Sequence, residues 1–371
     1  MARYDDRNGY MLQGELAVRG YDWWWHSIVA KNDATGELEP FFIEYFIINP
    51  EEGGYDVPIL GQLPENKKMN RKPSYGMIKA GKWGNSKAQI HTFHPLKNCS
   101  AKKSKMDVQI GTNVANDNCL KGRVYVSAET AIAHPEYMTD AGDMSWDLQI
   151  LNKNSYSVGY GTSWLLRKLN LFQMFWHVQG METAYSGKIV YNGNTYSVSP
   201  EIALGYQDKN WGTDYTNPWI WLNCNKFTDE NGVCLHGTSL DLGGGRPRVA
   251  GISLGKKILV AFRHKSILYE FNFTKQLSYE QSWQCRIDDN FVYWDVIVEN
   301  RKYQLTIRFK CPLETMILVK YENPDGMQNH KQLYNGGYAS GTVEIYKKYL
   351  NGKVLIEKVY GDMGGCEFGE Y

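Results

Sequence analysis

The sequence predicts an all-β chain, on three observations. Aromatic residues make up 14% of the 371 residues, with 26 Tyr and 12 Trp; such side chains bury large areas and are enriched in strands. Segments that alternate apolar and polar residues recur along the chain, as half-buried strands require. Gly is abundant, at 36. The pairs Asn192-Gly193 and Asn351-Gly352 each sit between alternating runs, where the positive φ of a two-residue hairpin link favours them.

DWWWHSIVA and FFIEYFIINP flank the turn-like KNDATGE and read as a first hairpin. GRVYVSAE, WDLQILN, GKIVYNGNTYSV, WIWLNCNKF, KILVAFRH, FVYWDVIVEN and KYQLTIRFK follow in the same style, and TVEIYKKYLNGKVLIEKVYG reads as a long closing hairpin. One segment breaks the rhythm. In SWLLRKLNLFQMFWHVQ, Leu165, Leu169, Phe172 and Trp176 recur at helical spacing behind Ser163, a residue suited to an N-cap. A short helix over 163–179 is expected there, linking β domains at 1–180 and 181–371. The Pro- and Lys-rich region 50–105 reads mostly as a long loop of the first domain. No internal repeat is visible.

Several function classes find no support. The net charge is +1, so no global field attracts nucleic acid, and the basic runs Lys67 to Lys72 and Lys97 to Lys105 lack interleaved aromatics. No apolar run reaches the roughly 18 residues of a membrane span. The opening residues carry no secretory pattern, and the seven Cys form no CxxC pair; a cytoplasmic, soluble protein with reduced thiols is expected. Phosphate loops, HExxH, calcium loops and GxSxG are missing. LDLGGGRPRV lacks the ending of a nucleotide site and marks a turn or a close backbone approach. His91 and His94 precede Pro95 without Cys or acidic neighbours. Neither a metal nor a cofactor is expected.

The stretch richest in chemistry is GYQDKNWGTDYTNPWIWLNCN, residues 205–225. Tyr206, Trp211, Tyr215, Trp219 and Trp221 can line an apolar pocket, in which Asp208 would hold its proton to unusually high pH. Their π faces would stabilise a carbocation. Lys209 would oppose that effect unless the segment is extended, when Asp208 and Lys209 point to opposite faces. The bland reading is that Asp208 and Asn210 bond backbone at a tight turn ending in Gly212. In the first hairpin, Trp24 and His26 share a face, as do Phe42, Glu44 and Phe46. A turn centred near Thr35 sets His26 opposite Glu44, either lining a cavity or on a solvated surface. Asp295 shares a face with Tyr293 and Ile297. His177 reads as a packing residue.

The run from Leu165 to Asn225 resembles tocopherol cyclases. It holds, in order, the helical segment, FWHVQGMETAYSGKIVYNGNTYSV, an acid-Lys-Asn-Trp-Gly box at 208–212, and a Pro-Trp-x-Trp strand ending in Cys-Asn. DLGGGRPRVAG and the tail from GGYASGTVEIYKKYLNGK to GGCEFGEY resemble the same family's C-terminal portion, and GYDWWW fits more loosely. The wider group of carotenoid hydratases and lipocalin-like cyclases has Asp-His-Asn-Trp-Gly at the box, so Lys209 places this chain nearer the tocopherol cyclases. Plant-type cyclases carry Glu where this chain has Asp208, one methylene shorter, so a substrate of different width is implied.

The resemblance implies two tandem lipocalin-like β-barrel or β-sandwich domains with a ligand cavity near their junction. It also implies a cofactor-independent, acid-initiated, intramolecular cyclisation of an apolar aromatic or prenylated substrate. Joined to the residue reading, the catalytic candidates are Asp208, Glu44 and His26. The candidate substrate contacts are Trp24, Tyr206, Lys209, Asn210, Trp211, Trp219, Trp221, Tyr293 and Asp295. The expected partner is a hydrophobic or aromatic small molecule. Two other readings stand beside this one: a carrier with the same fold and no chemistry, and a carbohydrate-binding β-sandwich.

Overall fold

Strand alternation decides which side chains meet, so the sheets come first. The computed structural model describes residues 5–156, 172–249, 252–273, 279–327 and 332–370. The first sheet holds β1 (Tyr21–Asn32), β2 (Leu38–Ile48), β3 (Tyr75–Lys82), β4 (Ala88–His94), β5 (Cys99–Ala101) and β6 (Asp107–Ile110). It continues with β7 (Asn113–Asn116), β8 (Cys119–Val126), β9 (Gly142–Tyr156), β10 (Met174–Tyr191), β11 (Asn194–Val198) and β12 (Gly205–Gly212). Their order is β4-β3-β2-β1-β11-β10-β9-β8-β7-β6-β5, with β12 also pairing β1 and β10. The sheet curls until β3 and β4 meet β6, β8 and β9, giving a barrel-like form.

The second sheet holds β13 (Trp219–Cys224), β14 (Phe227–Thr228) and β15 (Ser239–Gly245). After the small separate ribbon of β16 (Arg248–Val249) and β17 (Ile252–Ser253), it resumes with β18 (Lys257–His264), β19 (Ile267–Asn272), β20 (Glu280–Ile287) and β21 (Phe291–Glu299). The last strands are β22 (Tyr303–Pro312), β23 (Ile317–Leu318), β24 (Leu333–Tyr349) and β25 (Gly352–Gly369). The order is β19-β18-β15-β13-β25-β24-β22-β21-β20, with β14 beside β25 and β23 beside β24. The curl brings β18 against β20.

Period-2 alternation gives each sheet two buried faces. One face fills the sheet's own core: Trp24, Ile43, Tyr45 and Leu148 in the first, Leu222, Leu242, Trp294 and Ile307 in the second. The other faces pack against each other in a third, aromatic core that includes Trp25, Phe46, Trp176, Tyr206, Trp221 and Tyr321. This seam demands close approach. A Cβ at Gly243 would sit 2.7 Å from the Trp176 ring of the first sheet, and within the second sheet one at Gly365 would sit 2.6 Å from Trp221.

The all-β, lipocalin-like expectation holds, with corrections. Of the expected helix, residues 163–171 lie outside the described residues, and Met174–Gln179 belongs to β10. The i, i+4 ring spacing there was not a helical face, because pairing with β12 decides the conformation. The supposed loop at 50–105 contains β3, β4 and β5. β3 is buried along its whole length, so it shows no alternation to read. The change of sheet falls between Gly212 and Trp219, later than the expected boundary at residue 180. Asn192-Gly193 links β10 to β11 as expected, both residues at positive φ. The last hairpin turns at Leu350-Asn351, one residue early.

The seam is laced by the segment after β22, which pairs with β24 through β23 and also bonds the first sheet. Gly84 N donates to Thr315 O at 3.0 Å, Gln89 Nε2 to Leu318 O at 2.6 Å, and Gln62 N to Glu322 Oε1 at 2.6 Å. Asn49 anchors it: its Nδ2 donates to Pro73 O at 2.8 Å and Pro324 O at 2.7 Å, and its Oδ1 accepts from Gly20 N at 2.8 Å. Asn49→Ala removes all three bonds and keeps a positive φ that Ala tolerates poorly. Stability should fall by at least about 1–3 kcal/mol, the cost of one orphaned buried group, read as a lower denaturant midpoint at unchanged m.

Candidate active site

β12 lies between β1 and β10 and is covered on both faces, so six of its eight side chains or backbones from Gly205 to Asn210 are buried in succession. Alternation sends Tyr206, Asp208 and Asn210 into the seam and Gln207, Lys209 and Trp211 into the first sheet's interior. The registers then set rows across the sheet. Lys79, Glu44, Trp25, Asp208 and Val178 occupy one row; Met77, Phe46, Trp23, Asn210 and Trp176 occupy the next. From the opposite sheet, β13 contributes Trp219 and Trp221, β15 contributes Asp241, and β25 contributes Glu367 opposite Trp221.

These groups line a small cavity of about 10 Å³. Its walls are the rings of Trp23, Trp25, Trp219, Trp221 and Tyr321, and its polar groups are Asp208, Asn210 and Glu367. Asp208 Oδ2 accepts from Trp176 Nε1 at 2.8 Å and lies 3.3 Å from the Tyr206 hydroxyl. Its Oδ1 is buried with no hydrogen-bond partner. Burial is the main reason its pKa rises from the ordinary 3.8 to about 8; the Trp176 bond works against this, and the nearby Glu367 adds to it.

Tyr206 ties Asp208 to a second acid. Its hydroxyl is 3.1 Å from Asp241 Oδ2 and accepts from Trp221 Nε1 at 3.2 Å. One hydroxyl proton cannot serve two carboxylates. Burial, reinforced by the Asp208 charge, holds the Asp241 pKa well above its ordinary value. On the other wall, Glu44 Oε2 accepts from the Tyr321 hydroxyl at 2.8 Å and faces Lys79 Nζ at 3.2 Å. Burial pushes the Glu44 pKa up and lowers that of Lys79 to about 8. Among the described residues, no three His, Cys, Asp or Glu cluster as metal ligands would.

Residues 56–370 match the family described as tocopherol cyclase-like. The chain belongs to that family. No curated protein sequence matches it. The tocopherol cyclase-like chain is similar in fold to a Nitrosomonas europaea protein provisionally named AttH, at TM-score 0.50 and 11% identity over 100% of this chain and 97% of that one. A weaker likeness, at TM-score 0.47 and 10% identity, is to kievitone hydratase from Nectria haematococca, over 96% of this chain and 90% of that one.

In this tocopherol cyclase-like chain the candidates divide sharply. Asp208, Asn210, Trp219 and Trp221 line the cavity, and Tyr206 lies directly behind Asp208. The strand at 208–212 is extended, so the tight-turn reading of Asp208 fails. Lys209 points away, forms a buried ion pair with Asp22, and sits 3.8 Å over the Trp24 ring. Trp211 stacks on Phe175 at 5.4 Å, outside the cavity. Trp24 and His26 face the first sheet's interior: Trp24 Nε1 donates to Asn8 O at 2.7 Å, and His26 Nδ1 bonds the Tyr185 hydroxyl at 2.9 Å.

The misplacement of His26 is a register effect. Trp25, not His26, stands opposite Glu44, and a slip of one residue moves a side chain to the other face. Glu44 does lie at the seam, behind Tyr321. Tyr293 and Asp295 are on the outer face of β21, where Asp295 lies 3.8 Å from Arg286 near the surface. Val292, Trp294 and Val296 take the inward positions of that strand.

Glu367, Tyr321, Asp241, Trp23 and Trp25 escaped the sequence reading. Trp23 and Trp25 carried a usable signal, since they flank Trp24 on an alternating strand. Glu367 carried almost none.

The raised Asp208 pKa has a thermodynamic consequence. Folded Asp208 binds its proton up to about pH 8, the unfolded chain only to about 3.8. The stability this adds is full below pH 4, declines as pH rises, and is gone above about 8. Denaturant unfolding of the wild type and Asp208→Asn from pH 5 to 9 should show the wild type losing ground up to about pH 8 and levelling off beyond it. A pH-independent difference would mean Asp208 titrates normally.

Proposed function

We propose that this chain is an enzyme that starts a cyclisation by protonating a carbon–carbon double bond, with Asp208 as the acid. The observation that carries the reading is a buried carboxyl that lines an indole-walled cavity and has one oxygen without a hydrogen-bond partner. Alkene protonation needs an acid still protonated at neutral pH, and desolvation supplies one. Proton transfer to the less substituted carbon leaves a cation on its neighbour. The faces of Trp23, Trp25, Trp219 and Trp221 can stabilise that cation. A hydroxyl oxygen of the same molecule then captures it, closing a ring ether. Exclusion of water by the seam protects the cation from hydration.

The cavity has room for about one water. A prenylated phenol therefore enters only by parting the rings, and binding should alter tryptophan emission. A carrier would need more apolar room and has no use for a buried acid beside it; an open sugar-binding face does not fit rings buried between two sheets.

Turnover of a prenylated phenol in D2O should place one deuterium on the former alkene carbon. Asp208→Asn should reduce turnover by roughly 10²–10⁴-fold, the usual weight of one acid–base group. A folded Asp208→Asn protein with near-normal turnover would remove Asp208 as the acid, and bound substrate returned unchanged by the wild type would mark a carrier.

A further inference from the structure

Capture of the cation by a hydroxyl releases a second proton, which needs an acceptor at the same cavity. We propose that Glu367 is that base, so that Asp208 and Glu367 work as an acid–base pair across one cavity. The inference rests on the reading of Asp208 given above. Glu367 lies on β25 opposite Trp221 of β13, and its carboxyl lines the cavity that Asp208 lines from the other sheet.

The two carboxyls are held in opposite ways. Glu367 Oε2 accepts from Trp219 Nε1 at 2.6 Å and Oε1 from Asn335 Nδ2 at 2.6 Å. Asn335 is oriented in turn by Trp83 Nε1, which donates to its Oδ1 at 2.6 Å. An N–H on each oxygen favours the carboxylate. Asp208 has both its donors on Oδ2 and leaves Oδ1 for a proton. Lys79 favours ionised Glu367, and Glu44 opposes it; Asp208, the Tyr321 hydroxyl and the Cys366 thiol also feel its charge. Burial raises the Glu367 pKa to about 7. The N–H on each oxygen of Glu367 and the unpartnered Oδ1 of Asp208 mark the first as the base and the second as the acid, the division of roles that acid–base catalysis by two carboxyls requires.

The step balances. The alkene π pair takes the Asp208 proton and forms a C–H bond. An oxygen lone pair forms the C–O bond, the O–H bond breaks, and its proton passes to Glu367. The cycle ends with Asp208 ionised and Glu367 protonated. Once product leaves, the space of about 10 Å³ admits about one water, enough to relay the proton back.

The test uses a prenylated phenol in D2O and reads ring closure and deuterium exchange separately. In Glu367→Gln, closure should fall at least about 10²-fold. The cation, lacking a base for the oxygen, should collapse by losing a proton and leave deuterium in recovered alkene. Glu367→Asp should restore part of the closure. Asp208→Asn should lose both closure and exchange, so failure of the acid reading appears separately as exchange surviving in that variant. A folded Glu367→Gln protein that closes rings at the wild-type rate, or that loses exchange together with closure, overturns Glu367 as the base. Because Gln cannot satisfy both N–H donors, the wild type provides a second readout should that variant not fold. Its ratio of closure to exchange should drop as pH falls through about 7, and a ratio constant from pH 5 to 8 overturns the proposal equally.

Discussion

Removal of water from one face of β12 is the constraint on which the rest of the site depends. A carboxyl on a solvated strand is a weak base and useless as an acid at neutral pH. Pressed between two sheets, Asp208 cannot shed its proton without leaving an anion in a poorly polarisable surrounding. Everything nearby serves that exclusion. The rings of Trp23, Trp25, Trp219 and Trp221 supply bulk, and Tyr321 closes the side from which the segment after β22 arrives. Lys209, the cation that would undo the effect, is turned away by strand alternation and neutralised by Asp22. Burial raises the Asp22 pKa and lowers that of Lys209. The pair holds because each partner answers the other, and breaking it would strand a buried charge.

Glycine sets how near the sheets come. Gly243 lies where the Trp176 ring of the first sheet presses, while within the second sheet Gly365 leaves room for Trp221 on the neighbouring strand. Neither needs an unusual φ there; each is a gap the width of a side chain. The triple glycine of LDLGGGRPRV is thus legible as a close-approach motif. What it approaches is an indole, and that same indole holds Asp208.

Much of this was readable in the sequence, and the failures have identifiable causes. Alternating strands, the first and last hairpins and the turn at Asn192-Gly193 follow from local rules, so they were recoverable. The opposite facing of Asp208 and Lys209 needed only an extended backbone. β3 was missed because a strand buried on both faces has no polar phase. Trp176 was misread because ring spacing in a strand under pairing constraint can imitate a helix. His26 and Trp24 went to the wrong face through a register error of one residue, which no composition argument can detect. Glu367 and Tyr321 were beyond reach for a different reason. Their role exists only once the second sheet lies on the first, and that docking is not written in any window of the chain.

Because both sheets build the cavity, the strength of the acid is a property of the gap between them. A residue far along either sheet that widened the gap would admit water and return Asp208 towards an ordinary carboxyl, with the acid itself untouched. Divergence within such a fold therefore has a route that leaves the carboxyls of the cavity unchanged. A change at a packing position between the sheets, such as Gly243, would retune that acidity, and alignments of acids alone would miss it.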